Sequence, residues 1–406
     1  MNILLVTNNL YATGGDWTYV KQVYDLYRSY GHKVYFFGLK NDENLDKNYQ
    51  DYYVSYVDLH EAKKNKLRHA LKVFSQSLYS KEAAKKIAIF IEKFNIEIVQ
   101  LNSIHLGVTP SVIRAIHRKG VPIVCRIIDY SQICKNVNMV CKSKVCDKCL
   151  NNKHINVVLN NCKQSILTSI FVAVEAYFYT LRGDYKLIDM YSFQNNYMRK
   201  LFIKGGVDEN KTIVINNPYD CSKTTPNFAP GKTILFVGRL EPEKGILTFL
   251  KSAKLNQNLQ HVVVGDGSLR EEVRNISSKL DNVSFMGPVW GEDLDEIIKM
   301  SRFVVCPSEW QEPSSYVAFQ SFACGKPVIA ANMGGLPEVI TNDVNGLLFS
   351  AGNVVELTNK INNLYYDTEK IVRMGKAGRQ SVETLFLPEK YYTDSINLFN
   401  KLLNKQ

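Results

Sequence analysis

The chain holds 406 residues, 45% of them hydrophobic, with 50 Lys and Arg against 39 Asp and Glu and a formal net charge of +11. That length and apolar content suit a globular protein of two ordinary domains. The opening Met1-Asn-Ile-Leu-Leu-Val-Thr lacks a basic leader, and the best apolar run, Ile166 to Leu181, is broken by Glu175 and falls short of the roughly 20 residues a bilayer crossing needs. A signal peptide and a membrane span are therefore not expected; the expected location is the cytoplasm, at most peripheral on the inner face of the plasma membrane.

Taken in chain order, strands are expected near 2–7, 33–38, 96–101, 121–128, 187–192 and 212–215, then near 232–237, 260–264, 282–286, 302–306, 327–331 and 346–349. Helices fill most of the gaps, for example 17–30, 108–119, 244–254, 268–279 and 354–364. Alternating strands and helices imply α/β architecture, with two parallel sheets in sequence. Three prolines and small polar residues between Asn216 and Gly231 mark a linker. The expected division is 1–216, a linker 217–231, a second domain 232–385 and a terminal amphipathic helix within 386–406.

The excess positive charge lies in the first half. Residues 1–220 hold 30 Lys and Arg against 19 acids, and residues 221–406 hold 20 of each. Nine basic residues fall in 61–93, including Lys63, Lys64, Lys66, Arg68 and Lys72, opposed by Glu61, Glu82 and Glu92. This run reads either as a solvated helix face or as a patch that meets anionic lipid headgroups or a lipid-phosphate acceptor. No interleaved aromatic stacking motif accompanies it, which argues against nucleic acid. The apolar stretch 163–182 reads as core packing, with docking at a membrane interface as the alternative.

In the first half, Thr13-Gly14-Gly15-Asp16 follows the first strand and opens a helix, where glycines let a ligand approach the backbone. His105 ends another strand, and Ile128-Asp129-Tyr130 follows the next. Six of nine cysteines lie between 125 and 162, with most in a loop over 134–162. Cys146-Asp-Lys-Cys149 has the pair spacing of a zinc knuckle that Cys134 and Cys141 could complete. Free thiols and oxidised pairs are the alternatives.

In the second half, Gly238 ends a strand and two cations, Arg239 and Lys244, flank the following turn. Gly265-Asp266-Gly267 and Met286-Gly287-Pro288 follow later strands. Glu312 lies in a loop before Pro313, and a helix is expected to start at Ser314 or Ser315. Lys326 to Ala331 reads as a strand, and Gly334-Gly335 leads into another helix. Two helix N-termini, with free N–H groups and positive partial charge, would then face a phosphate ligand at the sheet edge.

Glu312-Pro-x6-Gln320-x-x-Ala-x-Gly-Lys-Pro-Val-Ile-Ala resembles the nucleotide-sugar loop of glycosyltransferase family four, most strongly over 232–349. The resemblance implies a GT-B fold, with two Rossmann-like domains across a cleft and the last helix crossing back to the first. It implies a retaining hexosyltransferase-type enzyme that uses a nucleoside diphosphate sugar, requires no cofactor for catalysis and acts on a glycan or lipid-linked acceptor in surface polysaccharide synthesis. Arg239 and Lys244 would grip the pyrophosphate, Glu312 the sugar hydroxyls, and backbone N–H groups of Ser315 and Tyr316 the phosphate. Gly14, Gly15, Gly238, Gly265, Asp266, Gly267, Pro288 and Gln320 would complete the donor site, with Asp129 catalytic and His105 on the acceptor side. The family's second Glu is Gln320 here, and the His many relatives carry before the Asp is Ile128. Those departures motivate rival readings: a sugar-nucleotide-binding protein with weak or no transfer, or an isomerase or epimerase on the same fold.

Overall fold

The computed structural model describes residues 1–11, 15–55, 76, 78–104, 107–142 and 144–405. Two six-stranded sheets, parallel throughout, follow one another along the chain. The first comprises β1 (Asn2–Thr7), β2 (Lys33–Phe37), β3 (Ile98–Ser103), β4 (Ile123–Ile127), β7 (Met190–Phe193) and β8 (Thr212–Val214), in the order β2-β1-β3-β4-β7-β8. Between β4 and β7 stands a two-stranded ribbon, β5 (Val140–Cys141) against β6 (Lys144–Val145). The second sheet comprises β9 (Thr233–Val237), β10 (Gln260–Val264), β11 (Val283–Gly287), β12 (Ser301–Cys306), β13 (Val328–Ala331) and β14 (Gly346–Phe349), in the order β11-β10-β9-β12-β13-β14.

The strands are buried on both faces, which explains their near-continuous Val, Ile, Leu and Phe. Ile3–Val6, Ile234–Phe236 and Phe303–Val305 are all buried. The final helix, Pro388–Leu403, starts with Pro in its first turn and lays Tyr391, Leu398, Phe399 and Leu402 into the first lobe's core. Tyr391 shares a 2.6 Å hydroxyl contact with Tyr19. The last segment therefore closes the chain back onto its beginning.

One local boundary changes, and two other regions gain detail. The strand expected from Lys326 starts at Val328, because Lys326 is fully buried and reaches back to the Ala229 carbonyl at 2.6 Å. Burial pushes its ammonium down to about 8. The linker is packed: Tyr219 N donates to Phe386 O, Asn227 N to Cys324 O and Gly231 N to Ser301 O. Within the basic run, helix Lys81–Lys93 buries Ala83, Ile87, Phe90 and Ile91 and leaves Lys81, Lys85 and Lys93 exposed, whereas Lys63, Lys64, Lys66, Arg68 and Lys72 lie outside the described residues.

Candidate active site

In the second sheet the strand order reverses direction between β9 and β12, and ligands of open α/β sheets bind beyond the carboxyl ends of strands at such a point. There the structure opens a cleft of about 660 Å³ between the two lobes. Its second-lobe wall comes from the ends of β9 and β12: Gly238, Arg239 and Lys244 on one side, Ser308, Trp310 and Glu312 on the other. The turn after β9 is pressed against the chain leaving β12. Gly245 has φ +71°, and a Cβ there would stand 1.9 Å from the Pro307 carbonyl oxygen, so only glycine fits behind Lys244.

This closeness brings Lys244 to Glu312. The ammonium donates to both carboxylate oxygens at 2.9 and 2.7 Å. Ser308 Oγ and Trp310 Nε1 donate to the same carboxylate at 3.0 and 2.8 Å, and Lys244 Nζ lies 5.0 Å from the Trp310 ring centre. Glu312 is 6% exposed. It is thus a buried carboxylate that accepts three hydrogen bonds at Oε2 and one, from Lys244, at Oε1. Arg239 differs: its side chain is 61% exposed, and its nearest acid, Glu243, is 3.5 Å away.

Above this pair the helix Tyr316–Ala323 begins. Ser315 caps it, its hydroxyl accepting from Ala318 N at 3.3 Å, and Ser314, Ser315, Tyr316 and Val317 line the cleft. First-turn N–H groups have no carbonyl within their own helix, so this end suits an anion. The second expected helix start does not line the cleft. Leu336–Val339 is a single turn, and Gly334-Gly335 packs behind the acid loop, Gly335 N donating to Glu312 O at 2.7 Å. The Gly-Gly pair therefore serves the position of Glu312.

The first lobe contributes Asp129, Ile128 and Tyr130 after β4, together with Tyr19, Gln194 and Asn217. Asp129 accepts from Ser131 N at 2.8 Å. Behind this wall Arg126, 1% exposed, donates to Ser192 Oγ at 2.9 Å, Ile215 O at 2.7 Å and Asn217 Oδ1 at 2.6 Å, and Asn217 in turn donates to Gln194 at 2.6 Å. Tyr19, Gln194, Asn217, Ser308 and Trp310 line the cleft without a local sequence signal. Arg126 inside an apolar strand was the available signal, since a buried guanidinium must find acceptors.

Five expected donor residues stand outside the cleft lining: Gly265, Asp266, Gly267, Pro288 and Gln320. A Cβ at Gly265 would meet Gly238 O at 1.9 Å, and Leu240 N donates to Asp266 O at 2.8 Å. The Gly-Asp-Gly turn thus braces the loop that carries Arg239, and its glycines answer backbone crowding. Asp266 pairs with Arg270 at 2.8 Å. Pro288 follows Gly287, whose carbonyl accepts from Gly265 N at 2.9 Å. Gln320 gives its amide nitrogen to Asp295 at 2.7 Å. Gly15 opens the helix Gly15–Ser29, whereas Gly14 and His105 lie outside the described residues.

The lobes are bonded where the acid loop passes between them. Tyr130 Oη donates to Gln311 O and Tyr197 Oη to Gln311 Oε1, each at 2.7 Å. Asn195 Nδ2 donates to Pro313 O at 2.5 Å, and Glu338 accepts from the backbone N–H groups of Asn196 and Tyr197.

Cys134, Cys141, Cys146 and Cys149 surround one small cavity of about 10 Å³, joined by Cys162, which the expected set of four omitted. Burial, then the neighbouring thiols, pushes Cys149 up to about 12 and Cys162 to about 11. Among the described residues, no three His, Cys, Asp or Glu side chains are placed to hold an ion as they stand.

Residues 222–381 match the family described as glycosyl transferases group 1. Spore coat protein SA of Bacillus subtilis is 30% identical over 184 residues, covering 42% of this chain and 49% of the relative. The chain spans about half the length of the curated relatives it matches. Anabaena Alr3699/HepE in complex with UDP superposes with a TM-score of 0.68 at 18% identity, covering 99% of this chain and 100% of that one. Sucrose-phosphate synthase from Thermosynechococcus elongatus gives 0.72 at 18% identity, covering 100% of each chain. Residues 222–381 thus match the glycosyl transferases group 1 family, and the whole chain has the GT-B fold.

Proposed function

We propose that this protein transfers a sugar from a nucleoside diphosphate donor to a lipid-linked or polysaccharide acceptor, with retention at the anomeric carbon. The observation that carries the reading is the Arg239, Lys244 and Glu312 group beneath the start of helix Tyr316–Ala323, in a cleft between two lobes. As the bond from the anomeric carbon to the diphosphate oxygen breaks, negative charge grows on the leaving group. A fixed ammonium, a guanidinium free to swing from Glu243 and a helix N-terminus all stabilise that charge. The acceptor oxygen bonds to the same face of the sugar, and its proton goes to the departing phosphate. Lys244 has three N–H donors and gives two to Glu312, which leaves one for phosphate. Asp129 stands on the opposite wall, where acceptor or sugar hydroxyls would lie. UDP bound to Alr3699/HepE, a structure of the same fold, supports a nucleotide donor.

The test is a thermal-shift screen of nucleoside diphosphates and their sugars, followed by transfer to acceptor extracts with the product anomer read by NMR. A diphosphate should raise the melting temperature of the protein and not of Arg239→Ala; no response to any diphosphate overturns the reading. Ile128 on the cleft wall favours one second reading, a protein that binds sugar nucleotides without transfer. Saturable donor binding with no product on any acceptor would establish it.

A structural zinc in the cysteine loop belongs to the same proposal, since five thiols converge on one cavity. Thiolates are the zinc-binding form, so zinc would displace the protons that burial first, and the neighbouring thiols second, hold on Cys149 and Cys162. Elemental analysis of purified protein should find about one zinc per chain; metal-free protein with full stability would remove it. A role in surface glycan assembly at the inner face of the plasma membrane completes the proposal, supported by the basic first half of the chain.

A further inference from the structure

The helix Ile166–Arg182 is amphipathic the wrong way round for a helix in water. Its inward face carries Ser169, Ala173, Glu175 and Ala176 beside Val172 and Tyr179. Its outward face carries Ile166, Leu167, Ile170, Val174 and Leu181, with Leu167 76% and Leu181 86% exposed. Leu167, Ile170, Val174 and Leu181 recur at helical spacing, so they form one stripe. Ile155 and Leu159, exposed on the adjoining helix Ile155–Leu159, extend it. Of the nineteen large apolar residues exposed among the described residues, these seven fall within 155–181. Such clustering marks a surface meant to be covered.

The rim of the stripe is cationic. Lys148 and Lys153 are exposed and Lys163 half-buried, Arg182 is paired with Asp184 at 2.8 Å, Glu175 is buried and paired with Lys135 at 3.4 Å, and the exposed Asp147 is paired with Lys204 at 3.0 Å. Leu78 and Tyr79 lie against this helix, Leu78 O accepting from Tyr179 Oη at 2.5 Å and Tyr79 meeting the Phe178 ring. An apolar stripe flanked by the exposed lysines Lys148 and Lys153, with its exposed acid Asp147 held by Lys204, matches an anionic bilayer surface, where the apolar residues enter the acyl boundary and the cations meet headgroups. No helix among the described residues is long and apolar enough to cross a membrane, so the contact would be interfacial. The stripe is one layer from the cleft: Asn136 borders both the cleft and the cysteine cavity, and Val157 and Val172 pack with Cys149 on the far side of that cavity.

We propose that the outward face of helices Ile155–Leu159 and Ile166–Arg182 docks on an anionic lipid surface. Membrane binding here is measured without substrate, so it stands or falls apart from the transferase reading. The experiment is co-sedimentation of the whole protein with phosphatidylcholine vesicles, with and without phosphatidylglycerol, over a salt series. Binding is expected to phosphatidylglycerol vesicles, to weaken with salt, and to fall roughly tenfold or more in Leu167→Ser/Ile170→Ser. Both side chains are exposed, so the variant should keep the parent's melting temperature, which separates lost docking from lost folding. Three results would overturn the proposal: no binding to either vesicle, unchanged binding by the variant, or a dimer in sedimentation velocity that the variant abolishes, since the face would then cover a second copy.

Discussion

Arg239 and Lys244 lie five positions apart on one turn, yet they occupy opposite electrostatic settings. Lys244 is held between the aromatic face of Trp310 and a buried carboxylate that accepts four hydrogen bonds. Arg239 is mostly solvated, and its ion pair with Glu243 is long. A buried pair stores its strength in the penalty for breaking it, whereas an exposed pair contributes little to the fold. The same two cations therefore divide the work: one holds the acid loop in place, and the other is free to meet an incoming anion.

Substitutions can break or sharpen that contrast. Lys244→Ala should have the largest effect, since it strands Glu312 as a buried charge. Urea denaturation should show a loss of about 3–5 kcal/mol, and turnover should fall about 10²-fold or more. An unchanged unfolding midpoint would mean that the pair does not hold the loop. Adding Glu312→Gln to that variant should restore much of the stability and none of the turnover, because the orphan charge is gone but the cation is still missing. In Arg239→Ala the expectation reverses: stability within about 0.5 kcal/mol of the parent, and turnover down about 10²-fold. Equal stability losses at both cations would dissolve the distinction. Gln320→Glu should be mildest. It sets a carboxylate against Asp295 in place of an amide donor and should cost about 1 kcal/mol at neutral pH. The deficit should shrink as acid protonates one of the two, read from melting temperatures across pH.

The second lobe was the more legible half because its signals are local. A strand end, a cation, a glycine and a serine-capped helix start each follow from a few neighbouring residues, and together they point to Arg239, Lys244, Glu312 and Ser315. Side-chain pairings across the chain left no such trace. Nothing near Lys244 announces that its partner is Glu312, 68 residues on, or that Gln320 turns to Asp295. Gly265 reads in the sequence as a place for a ligand to approach, and its close packing on Gly238 leaves no local trace there. The helix Ile166–Arg182 was ambiguous for a different reason. When small and large apolar residues occupy both faces, periodicity cannot say which face turns inward.

The loop bearing Glu312 is fastened to both halves of the molecule, through Lys244 on one side and through Tyr130, Tyr197 and Asn195 on the other. It behaves mechanically as a shared beam. If the lobes swing apart, either those tyrosine and asparagine bonds part or the acid is pulled off the ammonium. Where it is the acid that yields, the angle between the lobes and the charge presented to a ligand become a single coordinate.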